Sequence, residues 1–141
     1  MEREVLISIV GTQVDTLGET NTIEFVTSGK LYAKQDIYYI VYKETELTGM
    51  EGTTTSLKVE KHRVTLNRMG TNASRQVFEK DIYNCGPCKT PYGVMIFGVH
   101  PKVVDVNLTD KGGSINLEYE LEIDGESISY NTLVLNVKEA S

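Results

Sequence analysis

Apolar and polar residues alternate along most of the chain with a period of two, which is typical of β-strands with one buried face. The alternation is clearest near the end of the sequence, where Ile115, Leu117, Tyr119, Leu121 and Ile123 interleave with Asn116, Glu118, Glu120 and Glu122. No segment of ten or more residues has a clear helical period. The pattern predicts an all-β protein of about ten strands.

Residues that favour turns separate the apolar runs. Asp124-Gly125 follows the strand at residues 115–123 and favours a two-residue type I′ turn, because both central residues of that turn need positive φ. Ser28-Gly29 predicts a bulge or bend in an early strand. Residues 74–82 fit either a strand or a helical turn capped by Asn72, and we favour the strand. The short turns predict antiparallel pairing between neighbours along the chain.

A meander of about ten strands has two exposed sheet edges unless the sheet closes on itself. We predict full closure into an antiparallel up-and-down barrel, which removes both edges, and a β-sandwich is the second choice. Barrels of about eight to ten strands have room for filling side chains or for one small ligand. With 141 residues, we expect a single domain over residues 1–141 with one core.

The charge balance narrows the set of partners. Fourteen basic residues against twenty acidic ones give a net charge of −6, and no basic run compensates for it. Such a charge repels phosphate backbones and anionic membrane surfaces, so we expect no nucleic-acid partner and no membrane partner. The start of the sequence shows no targeting segment, so we expect a cytoplasmic protein whose two cysteines stay reduced.

Several segments, taken in order, resemble a bacterial family of unknown function, the YwiB-type family. These segments are Thr53–Val59, Val64–Gly70, Thr90–Gly93 and the hairpin that contains Tyr119 and ends at Leu133–Leu135. The resemblance runs over nearly the whole chain and implies a calycin-like (lipocalin-like) β-barrel. It assigns no catalytic or ligand-binding residues to this sequence. Cys85-Gly86-Pro87-Cys88 is not part of the family pattern.

Cys85-Gly86-Pro87-Cys88 has the same letters as the redox motif of thioredoxins. In that motif the reactive cysteine lies at a helix N-terminus, whose dipole lowers the thiol pKa. Here Pro91 follows three residues after Cys88 and a strand comes next, so there is no room for the helix. Cys85 and Cys88 are therefore an unfavoured redox candidate, and we expect Gly86-Pro87 to form a tight turn instead.

Beyond this cysteine motif, the sequence contains no recognisable metal-binding or catalytic pattern. Two cysteines need two more ligands to close a zinc site, and neither His62 nor His100 has a suitable spacing from them. The acidic residues from Glu118 to Asp124 fall on one strand face, which we interpret as a solvated outer face. Hydrolase and phosphate-binding motifs are also missing. We expect a protein that is not an enzyme and uses no metal or cofactor.

Four aromatic or charged residues interrupt otherwise apolar strands and are candidates to line the barrel interior: Tyr39, Arg68, Tyr119 and Tyr130. An arginine inside a barrel needs a carboxylate from the protein or from a ligand, since an unpaired buried charge is costly. One interpretation is a cavity with aromatic walls and a cationic anchor for a small carboxylate. In the other, the tyrosines fill the core and Arg68 lies outside or packs its stem over a barrel end.

The favoured function is a non-enzymatic binding barrel for a small, partly apolar ligand, on the basis of fold analogy and this interior. Two alternatives stay open. One is a protein-interaction or structural module with a filled barrel, which needs an exposed apolar patch. The other is a thiol–disulfide redox protein that uses Cys85 and Cys88. The sequence leaves the oligomeric state and the ligand identity open.

Overall fold

The computed structural model describes residues 2–45 and 49–140. These residues form ten strands: β1 (Glu2–Asp15), β2 (Thr20–Lys34), β3 (Ile37–Lys43), β4 (Thr53–Val59), β5 (Arg63–Gly70), β6 (Ala73–Glu79), β7 (Asn84–Thr90), β8 (Gly93–Thr109), β9 (Gly112–Ile123) and β10 (Glu126–Glu139). The described residues include no helix with the length and apolarity that crossing a membrane requires. The predicted all-β class is confirmed.

Each strand pairs antiparallel with the next one along the chain, and β1 pairs with β10, so the sheet closes into an up-and-down barrel. Tight turns allow this order. Asp124 and Gly125 have φ values of 51° and 83°, as the predicted type I′ turn requires. Gln35 and Asp36, between β2 and β3, also have positive φ values of 52° and 66°. The predicted closed barrel is therefore confirmed.

β2 continues without a register shift through Ser28-Gly29, so the predicted bulge or bend there is wrong. The glycine has a steric role instead. A Cβ atom on Gly29 would lie 2.6 Å from the carbonyl oxygen of Val41 and 2.7 Å from Cδ1 of Ile7. Gly29 thus lets the neighbouring strand and a core side chain approach closely.

Register shifts occur in β8 at residues 101–103 and in β10 at residues 127–129. After the second shift, Ser129 and Asn131 are buried, with exposures of 4% and 8%, whereas Tyr130 is 39% exposed. A shift of one residue exchanges the inner and outer faces of a strand. β10 therefore directs two polar residues into the barrel.

Aliphatic side chains fill the barrel toward the end that holds the β2–β3, β4–β5 and β8–β9 turns. This core comprises Val5, Ile7, Leu31, Ile40, Val59, Val64, Ile115, Leu117 and Val137. Phe78 packs edge-on against Tyr119 next to it, with ring centroids 4.8 Å apart. Toward the opposite end the buried residues become polar, and they include Thr55, Gln76 and Asn131. The two halves of the interior thus differ in chemistry.

The barrel wall is incomplete between β6 and β7. These strands pair only at Ala73–Lys89 and Ser74–Cys88, whereas β7 pairs with β8 along its whole length. Residues 84–90 are an extended strand, so the tight turn predicted at Gly86-Pro87 is wrong. Beyond Ser74 the two strands separate and leave an opening.

Candidate functional site

Polar side chains gather inside the barrel at the end that holds the β3–β4 and β9–β10 turns. Arg68 comes from β5, Gln76 from β6, Tyr119 from β9 and Asn131 from β10, and all four line one cavity of about 290 Å³. They face inward because each lies two positions from another inward-facing residue on its own strand. The apolar part of the lining includes Leu66, Phe97, Leu121 and Leu133. The cavity combines a polar side with an apolar one.

A second cavity of about 170 Å³ adjoins the first, since Arg68 and Leu133 line both. Its other lining residues include Tyr42 at the end of β3, Glu44 just beyond that strand, and Met50 before β4. The β3–β4 connection therefore contributes to the walls of this smaller cavity. Arg68 stands between the two cavities.

Glu44 supplies a protein carboxylate to the inward-facing Arg68. Nε of Arg68 lies 3.9 Å from Oε2 of Glu44, and the two side chains are 21% and 1% exposed. The buried hydroxyl of Thr55 donates a hydrogen bond to the same carboxylate oxygen. A separation of 3.9 Å is too long for a hydrogen bond, and Nε has no hydrogen-bond partner among the described residues. The charge of Arg68 is balanced, but its donors are not all used.

The environment of this cluster changes the titration of two tyrosines. Burial raises the pKa of Tyr42 far above its usual range, and the Glu44 carboxylate adds to the rise while Arg68 opposes it. Burial also raises the pKa of Tyr119, against the opposing effects of Arg68 and of a hydrogen bond with Asn131. Both hydroxyls therefore stay neutral near pH 7 and can donate hydrogen bonds.

Of the four predicted interior residues, the structure brings Arg68 and Tyr119 together and leaves Tyr39 and Tyr130 outside. Tyr39 alternates along β3 with the buried residues of that strand, so its side chain lies on the outer face. Tyr130 is turned outward by the register shift in β10, and its hydroxyl donates a hydrogen bond of 3.0 Å to Glu118. The prediction that these two tyrosines line the interior is wrong.

The sequence interpretation missed Glu44, Gln76 and Asn131. Glu44 lies one residue beyond the end of β3 and two residues after the buried Tyr42, so the alternation carried past the strand end would have placed it inside. Asn131 lies two residues before Leu133 and four before the buried Leu135 with no register shift between them, so the alternation in this part of β10 could have located it. The position of Gln76 could have been found, because it lies two residues before the buried Phe78 and therefore on the same face of β6.

Cys85 and Cys88 lie on opposite faces of β7, with Cys85 exposed and Cys88 buried. In an extended strand, Cα atoms three residues apart are about 10 Å from each other. A disulfide needs a Cα separation of about 7 Å or less. This geometry gives no support to the redox candidate, because the two sulfurs cannot meet unless β7 rearranges.

On the outer face, His100 of β8 lies beside Glu120 and Glu122 of β9, and atoms that can ligate a metal lie within 4.8 Å of one another in these three residues. Nε2 of His100 is 2.7 Å from Oε2 of Glu122. The Tyr83 ring lies 4.3 Å from the His100 ring, and the Tyr83 hydroxyl donates a 3.1 Å hydrogen bond to Glu122. Such a set could hold a divalent cation. The sequence interpretation had treated His100 and the acidic face separately.

Hydrogen bonding and burial shift the titration of this outer cluster. The hydrogen bond from His100 lowers the pKa of Glu122. Burial, together with the hydrogen bond to Glu122, raises the pKa of Tyr83 to about 12. The phenol therefore stays protonated and the carboxylate stays charged near pH 7, which preserves the hydrogen bond between them.

Known proteins are similar to this chain over most of its length. The "Uncharacterized beta-barrel protein YwiB" of Bacillus subtilis (strain 168) is 26% identical over 127 residues, which cover 89% of this chain and 88% of the relative. The crystal structure of the ywiB protein from Bacillus subtilis matches with a TM-score of 0.88 at 21% identity, covering 99% of this chain and 94% of that one. The match shows a shared β-barrel fold.

The family model described as "Domain of unknown function (DUF1934)" matches residues 7–135. This span contains Glu44 and Arg68 as well as the opening between β6 and β7. The resemblance noted in the sequence is thereby confirmed, and the chain belongs to the DUF1934 family, the family of YwiB-type β-barrel proteins of unknown function.

Proposed function

We propose that this protein binds a small, partly apolar carboxylate inside the barrel without catalysing a reaction on it. The site is the cavity of about 290 Å³ lined by Arg68, Gln76, Tyr119 and Asn131. Arg68 is the anchor for the carboxylate, and the neighbouring leucines provide the apolar contacts. A few converging polar groups in a mostly apolar cavity are typical of small-molecule sites.

The position of Arg68 between the two cavities carries this proposal. Glu44 lines the smaller cavity and not the larger one, so a ligand in the larger cavity meets the guanidinium without facing that carboxylate. A guanidinium has five N–H donors, and a carboxylate accepts two of them in a bidentate pair. Arg68 can therefore keep Glu44 on one side and bind a ligand on the other.

The composition of the larger cavity supports binding over catalysis. Among the described residues that line it there is no histidine, no cysteine and no carboxylate. These are the groups that most often act as nucleophiles or general acids and bases. A net charge of −6 disfavours phosphate backbones and anionic membrane surfaces, so we propose no nucleic-acid partner and no membrane partner.

Native mass spectrometry of the purified protein, followed by denaturing extraction, tests the proposal. We expect a bound small acid in the wild type and in Glu44→Gln, which keeps Arg68. We expect its loss in the double variant Glu44→Gln/Arg68→Met. The double variant removes both charges together, so it leaves no unpaired charge in the barrel to destabilise the fold.

If the ligand is lost during purification, isothermal titration calorimetry with small carboxylates tests the same site. Binding to the wild type and to Glu44→Gln, but not to the double variant, supports the site at Arg68. Equal binding to all three proteins overturns it, and so does the absence of binding to the wild type. Circular dichroism confirms that each variant is folded.

A second candidate function is a protein-interaction module, which apolar residues near the start of β8 favour. Tyr92, Val94 and Ile96 are 99%, 64% and 44% exposed. Val94 and Ile96 lie on the same outer face, and exposed apolar side chains that lie together are typical of interaction surfaces. Light scattering across a range of protein concentrations tests it. Self-association that is abolished by Val94→Ser favours this function. If the protein stays monomeric at every concentration, self-association is not the basis of this function.

A further inference from the structure

The opening between β6 and β7 has a cause in the sequence. The two strands pair as far as Ser74 and Cys88, and the same register would next pair Arg75 with Pro87. Proline has no N–H to donate, so a regular ladder does not continue through that position. Gly86 comes next and has no side chain to fill the space between the strands. The segment that resembles a redox motif therefore ends the β6–β7 ladder.

A cavity of about 630 Å³ occupies this opening. Its lining includes the outward-facing Arg75 and Pro87 as well as the inward-facing Gln76 and Phe97, so the cavity crosses the barrel wall. Gln76 and Phe97 also line the cavity of about 290 Å³ that holds Arg68. The wall cavity and the interior cavity therefore meet at these two side chains.

We propose that the ligand site continues through the wall and that the ligand is an elongated carboxylate with an apolar chain. This inference rests on the function proposed above, in which Arg68 binds the carboxylate. From Arg68 the chain of the ligand passes Gln76 and Phe97, and it then lies in the opening against Val77 and Val99, which line the wall cavity.

The sizes of the cavities support a ligand that extends into the wall. The two interior cavities measure about 290 and 170 Å³, and small-molecule sites typically start at about 300 Å³. The wall cavity, at about 630 Å³, is larger than both together. A molecule that uses Arg68 and also fills the available apolar space must therefore occupy the opening.

Charge at the outer rim favours an anionic ligand. Arg75 and Lys89 line the opening, and the ion pairs found among the described residues involve other cations. On a protein with a net charge of −6, this rim is locally positive and attracts an approaching carboxylate. The apolar chain of the ligand then enters between β6 and β7, where the two strands do not pair.

The dependence of binding on chain length tests this inference. Calorimetric titration with butanoate, octanoate and dodecanoate measures it directly, since each methylene transferred from water to an apolar wall raises affinity by about fourfold. Cys85 is exposed and lines the opening, so a bulky maleimide attached to it blocks the opening and leaves Arg68 untouched. Cys85→Ser treated with the same maleimide is the matched control. Val77→Trp obstructs the same opening from β6.

We expect the unmodified protein and the control to bind the two longer acids better than butanoate, and better with each added methylene. The labelled protein and Val77→Trp should lose this increase while they bind butanoate as before. A labelled protein that keeps the full increase overturns the continuation through the wall and leaves the interior site intact. Binding that persists in Glu44→Gln/Arg68→Met, or no binding of any of the three acids, overturns the interior site and this inference with it.

Discussion

Arg68 and Glu44 form an ion pair inside the barrel, with Nε and Oε2 3.9 Å apart. The two partners are unequally placed, since the Glu44 side chain is 1% exposed and that of Arg68 is 21% exposed. A charge that is fully removed from water depends on its partner more than one that still reaches water. Loss of Arg68 should therefore destabilise the fold by a different amount from loss of Glu44.

Arg68→Met should lower the free energy of unfolding by about 3–5 kcal/mol, because it removes a positive charge from beside the buried Glu44 carboxylate. Glu44→Gln should cost less, about 1–3 kcal/mol, because an amide oxygen still accepts from Thr55 and Arg68 still reaches water. Urea denaturation of both variants and of the double variant measures the losses and their coupling. Equal losses, or losses that simply add, would contradict the proposed pairing.

The two thiols should react at different rates. Cys85 is exposed, whereas Cys88 is 6% exposed and faces inward, so a thiol reagent should modify Cys85 quickly and Cys88 slowly. Mild oxidation should link two molecules through Cys85 and should not join the two cysteines within one chain. Kinetics with a chromogenic disulfide reagent and peptide mapping check this, and Cys85→Ser should lack the fast phase. An internal disulfide in the folded protein is inconsistent with an extended β7.

The raised pKa of Tyr42 predicts a loss of folding stability at alkaline pH. Burial raises its pKa above the ordinary tyrosine value of 10.0 in the folded state, so the unfolded chain releases this proton at lower pH than the folded one. The contribution to stability is complete below about pH 10 and declines as the pH rises from there toward the folded-state pKa. Urea denaturation from about pH 8 to about pH 11 should show this decline, and Tyr42→Phe should flatten it.

Tyr92→Phe is the matched control for this measurement, because the Tyr92 side chain is 99% exposed in the folded protein. It should leave the alkaline decline unchanged. If Tyr42→Phe and Tyr92→Phe give the same pH dependence as the wild type, Tyr42 is not the source of the decline.

Glu122→Gln should lower the pKa of Tyr83 from about 12 part of the way toward 10.0. The carboxylate opposes formation of the phenolate next to it, and the amide does not, whereas the effect of burial remains. Carbon NMR of the tyrosine rings across an alkaline titration resolves Tyr83 from the others. Glu118→Gln is the control, because Glu118 accepts its hydrogen bond from Tyr130. A Tyr83 pKa that both variants leave unchanged would show that Glu122 does not contribute to the shift.

Gly29→Ala should destabilise the barrel by about 1–3 kcal/mol, the usual cost of forcing an extra methyl group into a packed site. The new Cβ would lie 2.6 Å from the Val41 carbonyl oxygen and 2.7 Å from Cδ1 of Ile7. Gly11→Ala is the matched control, because the atom nearest to its Cβ is Cδ1 of Leu133 at 3.8 Å, an ordinary contact. Thermal and urea denaturation compare them, and equal stability of the two variants would refute the steric role of Gly29.

The inward direction of the Tyr119 and Arg68 side chains could be predicted from the alternation within their own strands. Tyr119 continues an uninterrupted alternation from Ile115 to Ile123, so its face follows from its position in the strand. Arg68 lies two residues after the buried Leu66. The register shift at residues 127–129 breaks the alternation between the turn and Tyr130, whereas the spacing of Tyr130 from Leu135, five residues further on, places it on the outer face.

By itself, the sequence determined the all-β class, the order of the strands, the type I′ turn at Asp124-Gly125 and the net negative charge. Each of these depends on neighbours within a few residues or on composition, so local alternation and turn chemistry are sufficient. Only the tertiary structure decided that Glu44 meets Arg68 and that His100 meets Glu122. These contacts join residues that are distant in the chain, and they depend on strand register and barrel closure, which no single segment specifies.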